Sequence, residues 1–237
     1  MDDIKKIRSI SVWIFIIPMV AVNICLFIAQ SGGFAFSLAI SEFVEPLGKI
    51  RPTFPYIDGG TSISRIARFF PTYLIFKPAM ILAGILLIYY WSLTARLFGK
   101  INELIILEKY FKFFGILSAI CLITHAIFLG IKFDFLVYKI FRRCVLLFFI
   151  IFQLTAQTLF LINLTKIKNK ISKLYSEKIL KVKIAIVSTL IIVSIISIPF
   201  LVTSGHVKFK HGLEWDFFLF INSFYLLSYW LWRKRKS

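Results

Sequence analysis

Acidic residues are scarce in this 237-residue chain: 11 Asp+Glu stand against 29 Lys+Arg, a net charge of +18 at pH 7. Cysteine is scarce too, with 3 residues, and Cys25, Cys121 and Cys144 all fall in apolar stretches or at their edge. That placement argues against an external disulfide framework and makes them small apolar packers. No stretch has the composition of a soluble domain, a repeat or a low-complexity linker. There is no Gly-x-Ser-x-Gly elbow, phosphate-cradling glycine loop or Asp-rich magnesium motif, and Ser64 and Ser204 show no local sign of activation by a base. No catalytic residue, cofactor or resident metal is therefore assigned from the sequence.

Apolar residues dominate instead. They make up 59% of the chain, with a mean hydropathy of +0.86. A soluble domain of this size cannot hide so many Ile, Leu and Phe side chains, so the chain reads as an integral membrane protein. Six apolar runs approach the ~20 residues that a bilayer core demands. They lie at about Val12–Gln30, Pro71–Ala95, Phe111–Ile131, Cys144–Leu164, Ile184–Thr203 and Trp215–Trp232. None alternates like a barrel strand, so all are predicted helices, with Pro18 and Pro78 tolerated inside them. The expected fold class is all-α: a single polytopic membrane bundle over residues 1–237, with six transmembrane helices. A long irregular loop, rich in Gly and Pro, is expected at about 31–70.

The basic residues set the orientation. Of the 29 Lys+Arg, 18 fall in the N-terminus, the loops near 96–112 and 165–183, and the C-terminal tail; 11 fall on the other side. The positive-inside rule therefore makes both termini cytoplasmic and the 31–70 loop extracytoplasmic. Lys5, Lys6 and Arg8 also resemble a signal-peptide n-region, but the apolar run after them is longer than a usual h-region of about 7–15 residues and reads as a true span. Trp13, Trp91, Trp230 and Trp232 fall near predicted cytoplasmic ends and Trp215 near the opposite face, as interfacial belts would.

Polar residues at membrane depth are costly and so are candidates for function. Asn23, His125, Gln153, Gln157 and Asn222 are the clearest. Gln153 and Gln157 share a helix face, and either interhelical bonds or a polar lining would explain them. A second set is expected on the outer face: Ser64, His125, Asp134, His206, His211 and Glu214, with Glu42, Glu45, Asp58 and Asp216 nearby. His206 and His211 are five apart in a predicted loop, not the i, i+4 pair of a helical zinc site, so this set does not read as a metal site. Glu214, entering the last span beside Trp215, is the leading acidic candidate for a functional contact. Lys166, Lys168, Lys170, Lys173, Lys178, Lys181 and Lys183 crowd the 165–183 loop. They read as a topology signal and as candidate contacts for anionic lipid, worth about 1 kcal/mol per basic residue near the surface. Aromatic stacking residues are nearly absent from that loop apart from Tyr175, which argues against nucleic acid as a partner.

The stretch Ile63-Ser64-Arg65-Ile66-Ala67-Arg68-Phe69-Phe70-Pro71-Thr72-Tyr73-Leu74-Ile75-Phe76 resembles the loop-to-helix motif of the damage-regulated autophagy modulator superfamily, which includes FGF-receptor-activating-protein-like proteins and a six-span prokaryotic branch. Pro71 and Phe76 occupy the motif's Pro and Phe offsets. Gly115–Ser118, Ala126, Phe128 and the pair Glu214-Trp215 are similar as well. Arg65 stands where the motif is acidic, Ala67 where it has glycine and Thr72 where Glu is common, so no catalytic role transfers. The resemblance implies six spans with both ends cytoplasmic, in a divergent or prokaryotic-type member. Three functions follow as expectations: a non-enzymatic membrane protein that binds lipid or regulates a membrane partner; a lipid-remodelling enzyme with an outer-face site; and a small transporter or channel. The expected partners are membrane lipids and either a membrane protein or further copies of the chain in a homo-oligomer.

Overall fold

The computed structural model describes residues 2–31, 50–101, 107–131, 136–168, 171, 174–203 and 205–232. Among them, six long helices and two short ones follow one another: α1 (Asp2–Gln30), α2 (Pro55–Asp58), α3 (Ile63–Ile66), α4 (Thr72–Ile101), α5 (Leu107–Phe128), α6 (Leu136–Ile167), α7 (Glu177–Val202) and α8 (Val207–Leu231). Five of these, α1, α4, α5, α6 and α7, are long and apolar enough to cross a membrane. The sixth, α8, is 25 residues long, but its first turns carry Lys208, Lys210, Glu214 and Asp216.

The helices overrun the apolar stretches. Residues 2–11 extend α1, residues 136–143 extend α6 and residues 207–214 extend α8. A backbone already in helical register continues past the apolar boundary when no Pro breaks it, and α8 carries Gly212 within that extension, so hydropathy marks the lipid-facing part and not the helix ends. The expected irregular loop at about 31–70 is partly helical, through α2 and α3; residues 32–49, with Glu42 and Glu45, lie outside the described residues.

Each long helix packs against two others in the closed order α1, α4, α5, α6, α7, α8 and back to α1. At one end of this ring, α2 and α3 form a cap against α1 and α8. At the other, the N–H of Ser176 bonds the carbonyl of Leu231 at 2.8 Å, joining the start of α7 to the end of α8. These are called the cap end and the termini end below.

Close approach relies on small residues, as lipid-embedded packing requires. A Cβ on Gly84 would lie 2.5 Å from the Ile123 side chain, and one on Gly115 would lie 2.3 Å from the Trp91 indole. Toward the termini end, Trp91, Phe98, Phe111, Phe160, Phe224 and Trp232 form an aromatic core with mostly edge-on ring contacts. This corrects the interfacial-belt reading for three tryptophans: Trp91, Trp215 and Trp232 are buried between helices, whereas Trp13 and Trp230 are exposed. A tryptophan near a helix end satisfies either role, and its position around the helix decides which.

Candidate functional site

The cap is held by one face of α8. Gly59 ends α2 in the left-handed conformation (φ 57°), and a Cβ there would lie 1.8 Å from the Lys208 carbonyl oxygen. Only glycine allows both that φ and that backbone approach. His211, Glu214 and Trp215, spaced to share a helix face, then engage the chain after Gly59. His211 Nδ1 lies 3.1 Å from the Gly59 carbonyl, Trp215 Nε1 donates to the Thr61 carbonyl at 2.8 Å, and Glu214 Oε1 accepts the Ser64 N–H at 3.2 Å. Ser62 caps α3 by accepting the Arg65 N–H at 3.2 Å. Within the cap, Asp58 accepts from the Thr53 hydroxyl and from the N–H groups of Gly60 and Phe54, which holds its carboxyl below the ordinary value of 3.8.

Among the helices lies a half-open cavity of about 640 Å³, lined by parts of α3 and of all six long helices, with Leu147, Ile195 and Ile198 on its exposed side. Its wall is largely apolar, with Met80, Leu87, Leu154, Ile195 and Phe217 among its residues. Polar groups concentrate at two depths. Ser64, His125, Lys210 and Glu214 stand toward the cap end, and Gln153, Asn222 and Tyr225 lie deeper. His125 is 8% exposed and its buried Nδ1 has no hydrogen-bond partner among the described residues, while the Arg142 backbone carbonyl bonds the ring.

At its deeper end the cavity meets a polar layer of the bundle. The Ser118 hydroxyl donates to Gln153 Oε1 at 2.7 Å, and Gln153 Nε2 donates to the Tyr225 hydroxyl. Gln157 Nε2 donates to the Ile221 carbonyl at 3.3 Å. Both glutamines thus join α6 to α8, and Gln153 joins α5 as well. Further toward the termini end, the Lys183 ammonium donates to the Ser228 hydroxyl at 2.6 Å, and Tyr90 bonds the same oxygen at 2.9 Å. Lys183 also faces the rings of Phe224 and Phe160, 3.5 and 5.0 Å from their centroids.

Of the expected outer-face set, Ser64, His125 and Glu214 line one cavity. His211 instead grips Gly59, and His206 is exposed at the start of α8 in a left-handed conformation (φ 53°). Asp134 lies outside the described residues. Among the described residues, His125 Nδ1 bonds neither a hydroxyl nor a carboxylate. Among the described residues, no three His, Cys, Asp or Glu side chains gather into a metal site.

Of the intramembrane candidates, Asn23 is exposed and bonds the Met19 carbonyl and the Tyr56 hydroxyl of α2, at 2.7 and 3.2 Å. Asn222 spends its N–H on Phe218 of its own helix, at 2.6 Å. Lys166, Lys168, Lys178 and Lys181 are exposed at the termini end, and Lys170 and Lys173 lie outside the described residues. Lys183 departs from its expected place on the loop surface: it is fully buried within α7. The signal was present in the sequence, since Leu180, Lys183, Val187 and Leu190 form one helical stripe and all four are buried. Tyr90, Tyr225, Ser118 and Ser228 carried no such signal, because their partners come from other helices. No protein family, curated protein or solved structure matches this chain.

Proposed function

We propose that this chain is a non-enzymatic membrane protein of six spans, both termini cytoplasmic, that binds a lipid inside its helix ring. The cavity carries the reading: about 640 Å³, within the roughly 300–1,000 Å³ of small-molecule pockets, apolar along most of its wall and polar at the cap end, with the deeper Gln153 and Asn222 amides donating to the protein itself. That gradient matches an amphiphile with its chain in the bundle and its polar end toward the cap. The helix ring supports α8 as the sixth span, since α8 runs between α1 and α7 along the bundle. The bias of Lys+Arg toward the termini end supports the orientation. Exposed Lys166, Lys168, Lys178 and Lys181 there would meet anionic headgroups. Within the stretch resembling the autophagy-modulator superfamily, Ile63, Ser64 and Phe76 line the cavity, and membership of that superfamily is part of the same proposal.

The test is native mass spectrometry of the protein released from mild detergent. One acyl lipid per chain is expected. It should be lost when Ile150→Trp or Ser194→Trp fills the wall, with helicity by circular dichroism unchanged. A protein that carries no lipid, or filled variants that carry as much as the unmodified chain, would overturn the reading.

A further inference from the structure

The packing stripe of α7 changes character partway along the helix. Leu180, Lys183, Val187 and Leu190 are buried between helices, and Ser194, Ser197 and Leu201 continue the same spacing toward the cap end. Ser194 and Ser197 bring little bulk, and from there on the stripe lines the cavity. Their hydroxyls donate to the carbonyls of Leu190 and Ser194 at 2.7 and 3.0 Å, so their polarity is spent within α7.

The cavity opens sideways at this level. Leu147 and Ile151 of α6, and Ile195, Ile198 and Leu201 of α7, line it and are at the same time 45–62% exposed. All are apolar, and all stand in the cap-side halves of their helices. On either side of this gap the helices are tied to other neighbours. The Tyr138 hydroxyl of α6 donates to the Phe128 carbonyl at the end of α5 at 2.6 Å, and Lys210 of α8 donates to the Thr203 carbonyl just past α7 at 2.8 Å. Toward the termini end the gap is shut, where Leu154, Leu190 and Ile221 pack α6, α7 and α8 together.

From the gap the cavity runs across the bundle to Ile14 and Pro18 of α1, which stands opposite α6 in the ring. A helix with its side chains is about 10–12 Å across, so a partner helix or a second copy can lie against the gap but cannot follow it inward. A single hydrocarbon chain can. We propose that the gap between α6 and α7 is a lateral portal, through which an acyl lipid passes between the cavity and the bilayer leaflet on the cap side. The portal rests on the lipid-binding reading and adds to it the route and the leaflet. A chain moving this way stays in hydrocarbon throughout, whereas a chain leaving through the cap end would pass Ser64, Lys210 and Glu214 and enter water.

The test follows lipid exchange by the full chain in liposomes whose phospholipid carries a diazirine in its acyl chain. Flashes at successive times label what the probe touches, and peptide mass spectrometry maps the adducts. Phe27, exposed on α1, should be labelled at once. Met80 and Leu87, 2% and 3% exposed in the cavity wall, should be labelled only as probe enters. Ile195→Trp and Ile198→Trp are expected to slow that entry about tenfold, a rise of about 1.4 kcal/mol in its barrier. Ile195→Ala and Ile198→Ala should speed it, and Val20→Trp, on the exposed face of α1, should leave it unchanged. With probe confined to one leaflet and the chain in one orientation, entry is expected from the cap side; equal or faster entry from the other leaflet would overturn the leaflet. A photoreactive residue in place of Leu147 is expected to capture lipid, and capture of a second copy instead would overturn the portal. So would equal entry rates in the Ile195 and Ile198 variants and the unmodified protein, with the lipid-binding reading left standing. Absence of label at Met80 and Leu87 in every protein would overturn both.

Discussion

The Lys183 ammonium sits 3.5 Å from the centroid of the Phe224 ring and donates to the Ser228 hydroxyl at 2.6 Å. Ser228 is then fully engaged, since it also bonds Tyr90 and donates to the Phe224 carbonyl. No ion pair to an acidic side chain is present for Lys183 among the described residues. A buried cation held by one hydroxyl and two ring faces depends on that hydroxyl.

The consequence is an asymmetry between the two partners. Ser228→Ala leaves the ammonium without its acceptor and is expected to lower stability by about 1–3 kcal/mol. Lys183→Met keeps the volume and removes the charge, so stability should hold or rise, and in that background Ser228→Ala should cost less. Unfolding of the four proteins in detergent, treated as a double-mutant cycle, checks this. Equal cost of Ser228→Ala in both backgrounds would contradict it.

The cap depends on Gly59. With φ at 57° and the Lys208 carbonyl 1.8 Å from any added Cβ, Gly59→Ala is expected to cost about 1–3 kcal/mol. The loss should be local, read as faster amide exchange across residues 50–66 while the aromatic core stays protected. Trp215→Phe, which removes the donor to Thr61, should loosen the same segment to a smaller degree.

Asp58 makes the cap sensitive to acid. Its carboxyl is held below 3.8, first by the Thr53 hydroxyl and then by the Gly60 and Phe54 N–H groups. A lowered folded value means that the stabilisation is fully present above the unfolded value. It is lost as pH falls through the folded one. Amide exchange at Gly60, corrected for its intrinsic pH dependence, should therefore be constant at neutral pH and rise only below about pH 4. Asp58→Asn should show the acid behaviour at neutral pH.

Gln153 joins three helices through Ser118 and Tyr225. Gln153→Leu is expected to lower stability by about 0.6–2 kcal/mol, the scale of a hydrogen bond between helices in lipid. Gln157→Leu should cost less, since Gln157 donates one longer bond and leaves its Oε1 unpartnered. Thermal unfolding of both variants in one detergent compares them directly.

Hydropathy located the long helices because lipid imposes a minimum apolar length on each. Their ends were not legible, since nothing in residues 2–11 or 136–143 stops a helix already begun. The cap-end grouping of Ser64, His125 and Glu214 was partly legible, because each lies near the same end of its segment. What joined them was not: His211, Glu214 and Trp215 form one face only once Gly59 lets α2 touch α8. Lys183 shows the limit most sharply. Read as one of seven loop lysines it belongs to the surface, but read with Leu180, Val187 and Leu190 it belongs inside. Charge outweighed periodicity in the sequence reading, and periodicity governs the fold.

The most direct test of lipid binding is an experimental density map of the full chain in nanodiscs made from its native lipid. Elongated density is expected inside the helix ring, along Leu154 and Phe217, widening to a headgroup beside His125, Glu214 and Lys210. A ring closed on itself, with those side chains packed together and no density between them, would contradict the central claim.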